Sequence, residues 1–411
     1  MFGAVEISGT HAGEDVKEFP TVSWREMGEE RTALWRSGSD SPPPKRVVIA
    51  DDRMTADVAY HLACEGVAIL WRGDFQNARQ LLAALARRIE EPRKCKKSTA
   101  AEAEESRSVS SSLPLPAEVF HRYRLTQSQR ARTLGMLLLS FDADFRIPLR
   151  RAPDVRQACA EAYGKATMPF IASLRELLGI IGAHEWRVKG VEVPLLGARI
   201  HPYYGVFAPI RAEYVDLVAT APLPSILLKT PAHGVAFDIG TGTGVLSALL
   251  AKRGVAHVVA AERDPRAIAC ARDNIASLKL DAQVEVRQVD LYPDGCAALV
   301  VCNPPWVPAR PVSPLEHAVY DPGSSMLRGF LNGLAAHLEP GGEGWLLLSD
   351  LAEHFGLRTR SELLALIDAA GLIVFGRIET RPHHPRVADV SDPLHAARQA
   401  EVTSLWRLRV R

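Results

Sequence analysis

Apolar positions recur at two different spacings, and the change between them divides the chain. From Val235 onward, short apolar runs alternate with stretches whose apolar residues repeat at helical spacing: VAFDIG, GVLSALLAKRG, VVAAE, PRAIACARDNIASL, VEVRQVD, ALVVCNPPW, MLRGFLNGLAAHL, GWLLLSD, RSELLALIDAAG, LIVFGRIE and TSLWRLRV. The short runs read as buried strands and the periodic stretches as helices. Their alternation predicts a mainly parallel, doubly wound α/β sheet over residues 231–411.

The first half has a different texture. Residues 1–45 read as a weakly structured lead-in ending in the turn-rich SGSDSPPPK. Residues 46–185 read as a mainly helical N-terminal domain for substrate recognition, with VVIADD and Val67–Trp71 as possible strands. Asp74 opens a helix in which Ala78, Leu81, Leu82, Leu85 and Ile89 recur at helical spacing. Further helix is predicted across Gln127–Ser140 and Pro153–Gly182. Residues 92–113, rich in Lys, Glu, Ser and Ala and without apolar periodicity, read as a flexible insert. Residues 186–230 read as two short strands, a hairpin if they pair, and then a helix over Arg211–Thr220.

Composition narrows the function classes. A chain of 411 residues with 47% hydrophobic residues can build two ordinary cores. A formal net charge of +1 excludes polyanion binding by bulk charge, so a nucleic-acid surface would have to be a local patch. The six cysteines lack CxxC spacing, which points away from a zinc cluster or disulfide framework and toward a reducing cytoplasm. No apolar run approaches a membrane span, and the N-terminus has no signal-like pattern. The expectation is a cytoplasmic protein, a monomer or weak dimer, with no membrane partner and no metal.

The loop Phe237-Asp238-Ile239-Gly240-Thr241-Gly242-Thr243-Gly244 follows a predicted strand and opens a helix. Its glycines permit a sharp turn and close approach of a ligand to backbone, and the helix beyond offers free N–H groups. The spacing is GxGxG, not the GxGxxG of dinucleotide binders. Glu262 ends the next strand, where a carboxylate can accept both hydroxyls of a ribose. Asp290 follows the third strand, placed for an adenine amino group with Leu291 against the ring. In this order, at successive strand ends, the three signals point to a nucleoside ligand.

Asn303-Pro304-Pro305-Trp306 ends the fourth strand, beside the expected topological switch point. The prolines fix φ and remove N–H donors, leaving the Asn303 side-chain oxygen and the Pro304 carbonyl as acceptors facing the cleft. An amino group donating to both turns its lone pair toward a reaction partner. Such a displacement gains mostly from orientation. Trp306 offers a face for stacking a base or planar amide. The plainer reading is a proline-stiffened turn with a packing tryptophan.

At these residues the sequence resembles the class I S-adenosylmethionine (SAM)-dependent methyltransferases, in the branch with an (N/D)PP(F/Y/W) motif. The resemblance covers roughly residues 195–411. It implies a Rossmann-like seven-stranded sheet with the last strand antiparallel. It implies SAM contacts from Asp238, Gly240, Gly242, Gly244, Glu262, Asp290 and Leu291, and catalysis by Asn303, Pro304, Pro305 and Trp306. Val206-Phe207-Ala208-Pro209 with Arg211-Ala212-Glu213, and Ala318–Pro322 with Leu327–Phe330, are similar to segments of the release-factor glutamine methylases. Trp306 departs from that family's tyrosine. Fold and cofactor survive this departure; the substrate does not.

Arg122, Tyr123 and Arg124, with Phe120, His121, Arg130, Arg132, Arg150 and Arg151, form a basic, aromatic-interleaved region, and Arg211 precedes the cleft. Such a region can hold phosphates while rings stack bases; a solvated helix face with core aromatics explains it as well. His201, Tyr203 and Tyr204 are candidate gates to the cofactor, and Cys302 a small buried filler. His383 and His384 form a pair without a third ligand. The expected activity is methyl transfer to an exocyclic amino or amide nitrogen of a macromolecule, an rRNA or DNA base ahead of a protein glutamine. An NAD-type oxidoreductase and a non-catalytic scaffold remain as other classes.

Overall fold

Two sheets joined by a short hairpin organise the chain in the computed structural model, which describes residues 20–90, 116–165, 168–210, 213–229, 234–382 and 389–411. The first sheet contains β1 (Thr21–Glu26), β2 (Glu29–Trp35), β3 (Arg46–Ala50), β4 (Val67–Trp71), β5 (Leu137–Phe141) and β6 (Phe170–Ser173), in the order β1-β2-β6-β5-β4-β3. Strands β3, β4 and β5 are parallel, whereas β6 runs against β5. Every residue of β4 is buried, as expected of a strand covered on both faces. One face packs Ile69, Trp71, Phe75, Leu85 and Phe141; the other packs Ala68, Leu70, Leu138, Val22 and Trp35.

Helical residues outnumber strand residues in this half, in keeping with the helical reading, but the sheet is larger than expected. Part of the expected lead-in is a hairpin, with Met27 and Gly28 in left-handed conformation at the turn between β1 and β2. Its strands carry too many charges to stand out as apolar runs. The helix expected at Gln127–Ser140 is instead Pro116–Leu134 followed by β5. Leu137 and Leu139 enter one core and Leu138 the other, a division that period two provides. The helix expected at Pro153–Gly182 divides into Arg156–Tyr163, β6 and Leu174–Lys189. There Ser173 both ends β6 and caps the following helix by accepting the Glu176 N–H. The expected insert 92–113 lies outside the described residues.

Strands β7 (Val191–Val193) and β8 (Ala198–Ile200) pair as a hairpin. The helix then covers Glu213–Thr220. The second sheet contains β9 (Val235–Ile239), β10 (His257–Glu262), β11 (Val284–Gln288), β12 (Ala297–Cys302), β13 (Leu338–Ser349), β14 (Leu372–Thr380) and β15 (Thr403–Val410). Its order is β11-β10-β9-β12-β13-β15-β14, with β15 antiparallel to both neighbours. This is the seven-stranded arrangement expected. Alternate residues of its central strands enter two cores, Ala236, Ala260, Val301 and Leu347 on one face and Phe237, Val259, Val300 and Leu346 on the other. The order turns back at β9, so the crevice beyond β9 and β12 is where such a sheet receives a ligand.

A smaller core unites the two halves. Phe120, on the helix Pro116–Leu134, stacks on Phe355 at 4.8 Å and joins Val307, Leu351 and Leu394. Burying an aromatic of this size contributes about 2–3 kcal/mol. The first half is thereby fixed beside the residues that follow Trp306.

Candidate active site

Pairing of β10, β9 and β12 brings the predicted residues together. Ile239 is level with Ala261 on one side and Cys302 on the other. The glycine loop, Glu262 and Asn303 therefore leave three adjacent strands, within about 10 Å of one another. Among the described residues, no group of three or more His, Cys, Asp and Glu could hold a metal, and no helix is long and apolar enough to cross a membrane.

Gly240, Gly242 and Gly244 all have left-handed backbones, with φ of 72°, 56° and 81°. That conformation explains why the loop needs glycine. The space above Gly242 is open: a Cβ there would meet nothing nearer than the Gly240 carbonyl at 4.0 Å. Asp238 lies beneath the loop, 1% exposed. Its Oδ2 accepts from Thr241 Oγ1 at 2.7 Å and Ser247 Oγ at 2.6 Å, so this carboxylate staples the loop to the helix Val245–Lys252. Burial raises its pKa, and the two hydroxyl donors oppose that shift.

Glu262 ties the loop from the other side. Oε2 accepts the Gly242 N–H at 3.2 Å, and Oε1 accepts the N–H groups of Arg263 and Asp264 at 2.9 and 3.1 Å. A carboxylate has about four acceptor positions and three are taken, so capacity for one ribose hydroxyl remains. Asp290 is exposed after β11, and Leu291 follows with φ of 65°. The Leu291 side chain rests on Gly329, where a Cβ would stand 2.5 Å from Cδ1. Tyr292 lies equally close over Gly333, one helical turn on. The helix Ser325–His337 thus holds the Asp290 loop through two positions where side chains would collide. Open space over Gly242, acceptors at two strand ends and an apolar platform at Leu291 fit a nucleoside-bearing cofactor such as SAM.

At the end of β12 the Trp306 indole N–H donates to Asn303 Oδ1 at 2.9 Å. An indole nitrogen only donates, so the bond fixes which way the carboxamide faces. The sequence predicted a free Asn303 acceptor; one of its two lone pairs is occupied in the structure. Pro304 is buried, and Pro305 and Trp306 are half-buried. Trp306 packs where three apolar clusters meet. Its carbonyl accepts from Arg358 at 3.3 Å, a cation that sequence reasoning missed because it lies far along the chain. Arg358 also donates to Ser324 Oγ at 3.2 Å, and burial lowers its pKa. Asp321, also missed as a cap, accepts from the backbones of Met326 and Leu327 and from Ser325 Oγ. Cys302 is buried, and its thiol is pushed up in pKa by desolvation, as suits a filler.

The candidate substrate-binding residues divide. Arg124 lies 4.1 Å over the Tyr320 ring, pairs with Glu316 at 3.0 Å and donates to the Arg310 carbonyl at 2.8 Å. It clamps the first half onto the segment after Trp306. Tyr123 joins the apolar cluster that contains Trp306, whereas Arg122 is exposed. Arg130 pairs with Glu90, and Arg150 and Arg151 both pair with Asp74. Three carboxylates therefore offset half the charge of the region's six arginines. Arg211, His383 and His384 lie outside the described residues. His201, Tyr203 and Tyr204 face the junction of the two halves: His201 Nδ1 is 2.6 Å from the Arg187 carbonyl, the Tyr203 hydroxyl donates to Asp273, and Tyr204 joins the first half's core.

Known proteins are similar to this region. Residues 198–355 match the methyltransferase small domain. A release factor glutamine methyltransferase of Cereibacter sphaeroides is 34% identical over 150 residues, covering 33% of this chain and 51% of that protein. One from Caulobacter vibrioides is 31% identical over 185 residues, covering 42% and 63%. A ribosomal protein L11 methyltransferase of Vibrio cholerae is 33% identical over 90 residues, covering 22% and 30%. The chain thus spans about half the length of the first of these relatives. The match to the methyltransferase small domain begins at β8 and ends at Phe355, taking in the glycine loop, Glu262, Asp290 and Asn303–Trp306.

Proposed function

We propose that the chain is a SAM-dependent N-methyltransferase whose acceptor is a side-chain amide nitrogen of a protein. The observation that carries the reaction is the Asn303–Trp306 turn at the end of β12, level with the glycine loop on β9. Gly240, Gly242, Gly244, Glu262, Asp290 and Leu291 would hold the cofactor, with Asp238 supporting the loop from below. SAM, when bound, supplies an electrophilic methyl group. Asn303 Oδ1 and the Pro304 carbonyl accept the two N–H bonds of the incoming nitrogen and fix its direction. Trp306 fixes the Asn303 carboxamide through its indole N–H and presents a planar face to a planar acceptor. Orientation of this kind supplies several kcal/mol of barrier reduction; as the N–C bond forms and the S–C bond breaks, one N–H proton leaves to water past the accepting oxygens.

Two observations support a protein acceptor over a nucleic-acid base. Arg124, Arg130, Arg150 and Arg151 pair with three carboxylates, which offsets half the charge of the six arginines in the region that would hold phosphates. The relatives named above carry protein acceptors in their names, a release factor and a ribosomal protein. Isothermal titration with SAM tests the cofactor: saturable binding is expected, and none in folded protein defeats the reading. Tritiated methyl transfer into cell extract tests the acceptor. Label sensitive to protease is expected; label released by nuclease alone assigns the acceptor to nucleic acid instead.

A further inference from the structure

Asn274 does not belong to any motif above, yet it is 1% exposed and bonded on one side to the glycine loop and on the other to His201, just after β8. It sits on the helix Pro265–Ser277 that follows Glu262. Its Oδ1 accepts the His201 N–H at 2.8 Å. Its Nδ2 donates to the Thr243 carbonyl at 3.0 Å and lies 3.4 Å from the His201 carbonyl. The Thr243 carbonyl belongs to the peptide that leads into Gly244, so this bond sets the orientation of the loop's last turn.

The N–H groups of Gly240 and Thr241 both donate to the Ala261 carbonyl at the start of the glycine loop, and two carboxylates and one carboxamide hold the rest. Thr241 is tied to Asp238, and the Gly242 N–H to Glu262. The third tie, Thr243 to Asn274, is the one that continues outward. Beyond Asn274, His201 Nδ1 meets the carbonyl of Arg187, near the end of the first half's last helix, Leu174–Lys189. Arg187 in turn lies 3.8 Å over the Tyr203 ring and 3.4 Å from Glu161. A cavity of about 320 Å³ opens beside this chain of contacts, lined by Glu161, Arg187, His201, Tyr203, Asp273 and Asn274 among others. The halves therefore meet here through polar side chains bordering a cavity.

We infer that Asn274 is a positioning residue that pre-forms the glycine loop for the cofactor and is itself anchored by the first half of the chain through His201. Three left-handed glycines give the loop wide freedom, and ordering it on binding would reduce affinity. The Asn274 carboxamide removes that freedom at the Thr243–Gly244 peptide before the ligand arrives. The inference rests on the SAM reading above.

SAM titrations of wild type, Asn274→Ala, Asn274→Asp and His201→Phe, each with a ligand-free Tm, test it. Asn274→Ala should bind SAM at least about tenfold more weakly, since two hydrogen bonds on the junction are lost and a buried carbonyl is left unpaired. Asn274→Asp keeps the acceptor for His201 but lacks the donor to Thr243, and should lose as much. His201→Phe should lose about fivefold, one hydrogen bond's worth. Folded Asn274 variants that bind within twofold of wild type, with only Tm lowered, make Asn274 merely structural and overturn the inference. Unchanged affinity in His201→Phe overturns the anchor. If the Asn274 variants do not fold, hydrogen exchange in wild type decides: amides of residues 242–245 protected without SAM support a pre-formed loop, and free exchange refutes it. Wild type that fails to bind SAM instead defeats the cofactor reading itself.

Discussion

The two sheets each contain a block of parallel strands and differ in what stands at their strand ends. In each, parallel strands end on a polar rim. In the first sheet the rim groups satisfy one another. Asp74 takes Arg150 and Arg151; Asp52 accepts the Asp74 N–H and the Asn77 amide; Arg72 binds Glu26 and Ser140. In the second sheet the rim is left open over Gly242, and Glu262, Asp290 and Asn303 retain acceptor capacity. A doubly wound sheet supplies a place for a ligand; polar groups held in position with capacity to spare supply the chemistry.

The sharpest way to break this contrast is at Asn303. Asn303→Ala removes the acceptor and releases the Trp306 indole, and methyl transfer should fall about a hundredfold or more. SAM affinity should stay within about threefold, because the carboxamide lies on β12 and the cofactor loop on β9. Transfer of tritiated methyl to the labelled acceptor, with titration alongside, reads both. A folded variant with near-normal transfer would remove the second rim from consideration as the reaction site.

A matched pair of glycines sharpens the contrast at the next level. Gly242 (φ 56°) and Gly66 (φ 76°) each have left-handed backbone, and a Cβ at either meets no close neighbour. Gly242→Ala and Gly66→Ala should each cost about 1 kcal/mol in stability. Only Gly242→Ala should weaken SAM binding, by about tenfold, since its methyl group would occupy the space over the loop. Equal binding by the two variants would place the cofactor elsewhere.

The same contrast explains what the sequence disclosed. The second sheet was legible almost strand by strand because its elements are long, apolar and separated by Gly and Asp. Gly240, Glu262, Asp290 and Asn303 were legible because each ends such a strand. The first sheet hid its elements. Leu137–Phe141 satisfies helical and strand patterns alike, and Phe170–Ser173 runs straight into a helix that its last residue caps. Arg124 looked available because sequence shows a charge but not its partner; Glu316 and Tyr320 lie far along the chain. Asn274 and Arg358 gave no signal for the same reason: each acts through backbone carbonyls distant in sequence.

The smallest effect belongs to the closed rim, and its sign follows from one ion pair. Arg72 grips Glu26 with two bonds of 2.9 Å, and the Trp24 indole N–H donates to the same carboxylate at 2.9 Å. The Arg72 hydrogen bond is the main reason the Glu26 carboxyl is held down at about 2 from its ordinary 4.5, with burial opposing. A carboxyl lowered on folding stabilises fully above its unfolded value and loses that contribution as protons bind. The stabilisation should therefore be complete above pH 4.5 and disappear as pH falls from 4.5 toward 2. Arg72→Gln should flatten this part of the acid limb of Tm against pH, lower Tm slightly near neutrality, and leave SAM affinity unchanged. An identical acid slope in both proteins would show that this pair does not hold the first sheet's rim together. A change in SAM affinity would show that the closed rim communicates with the open one.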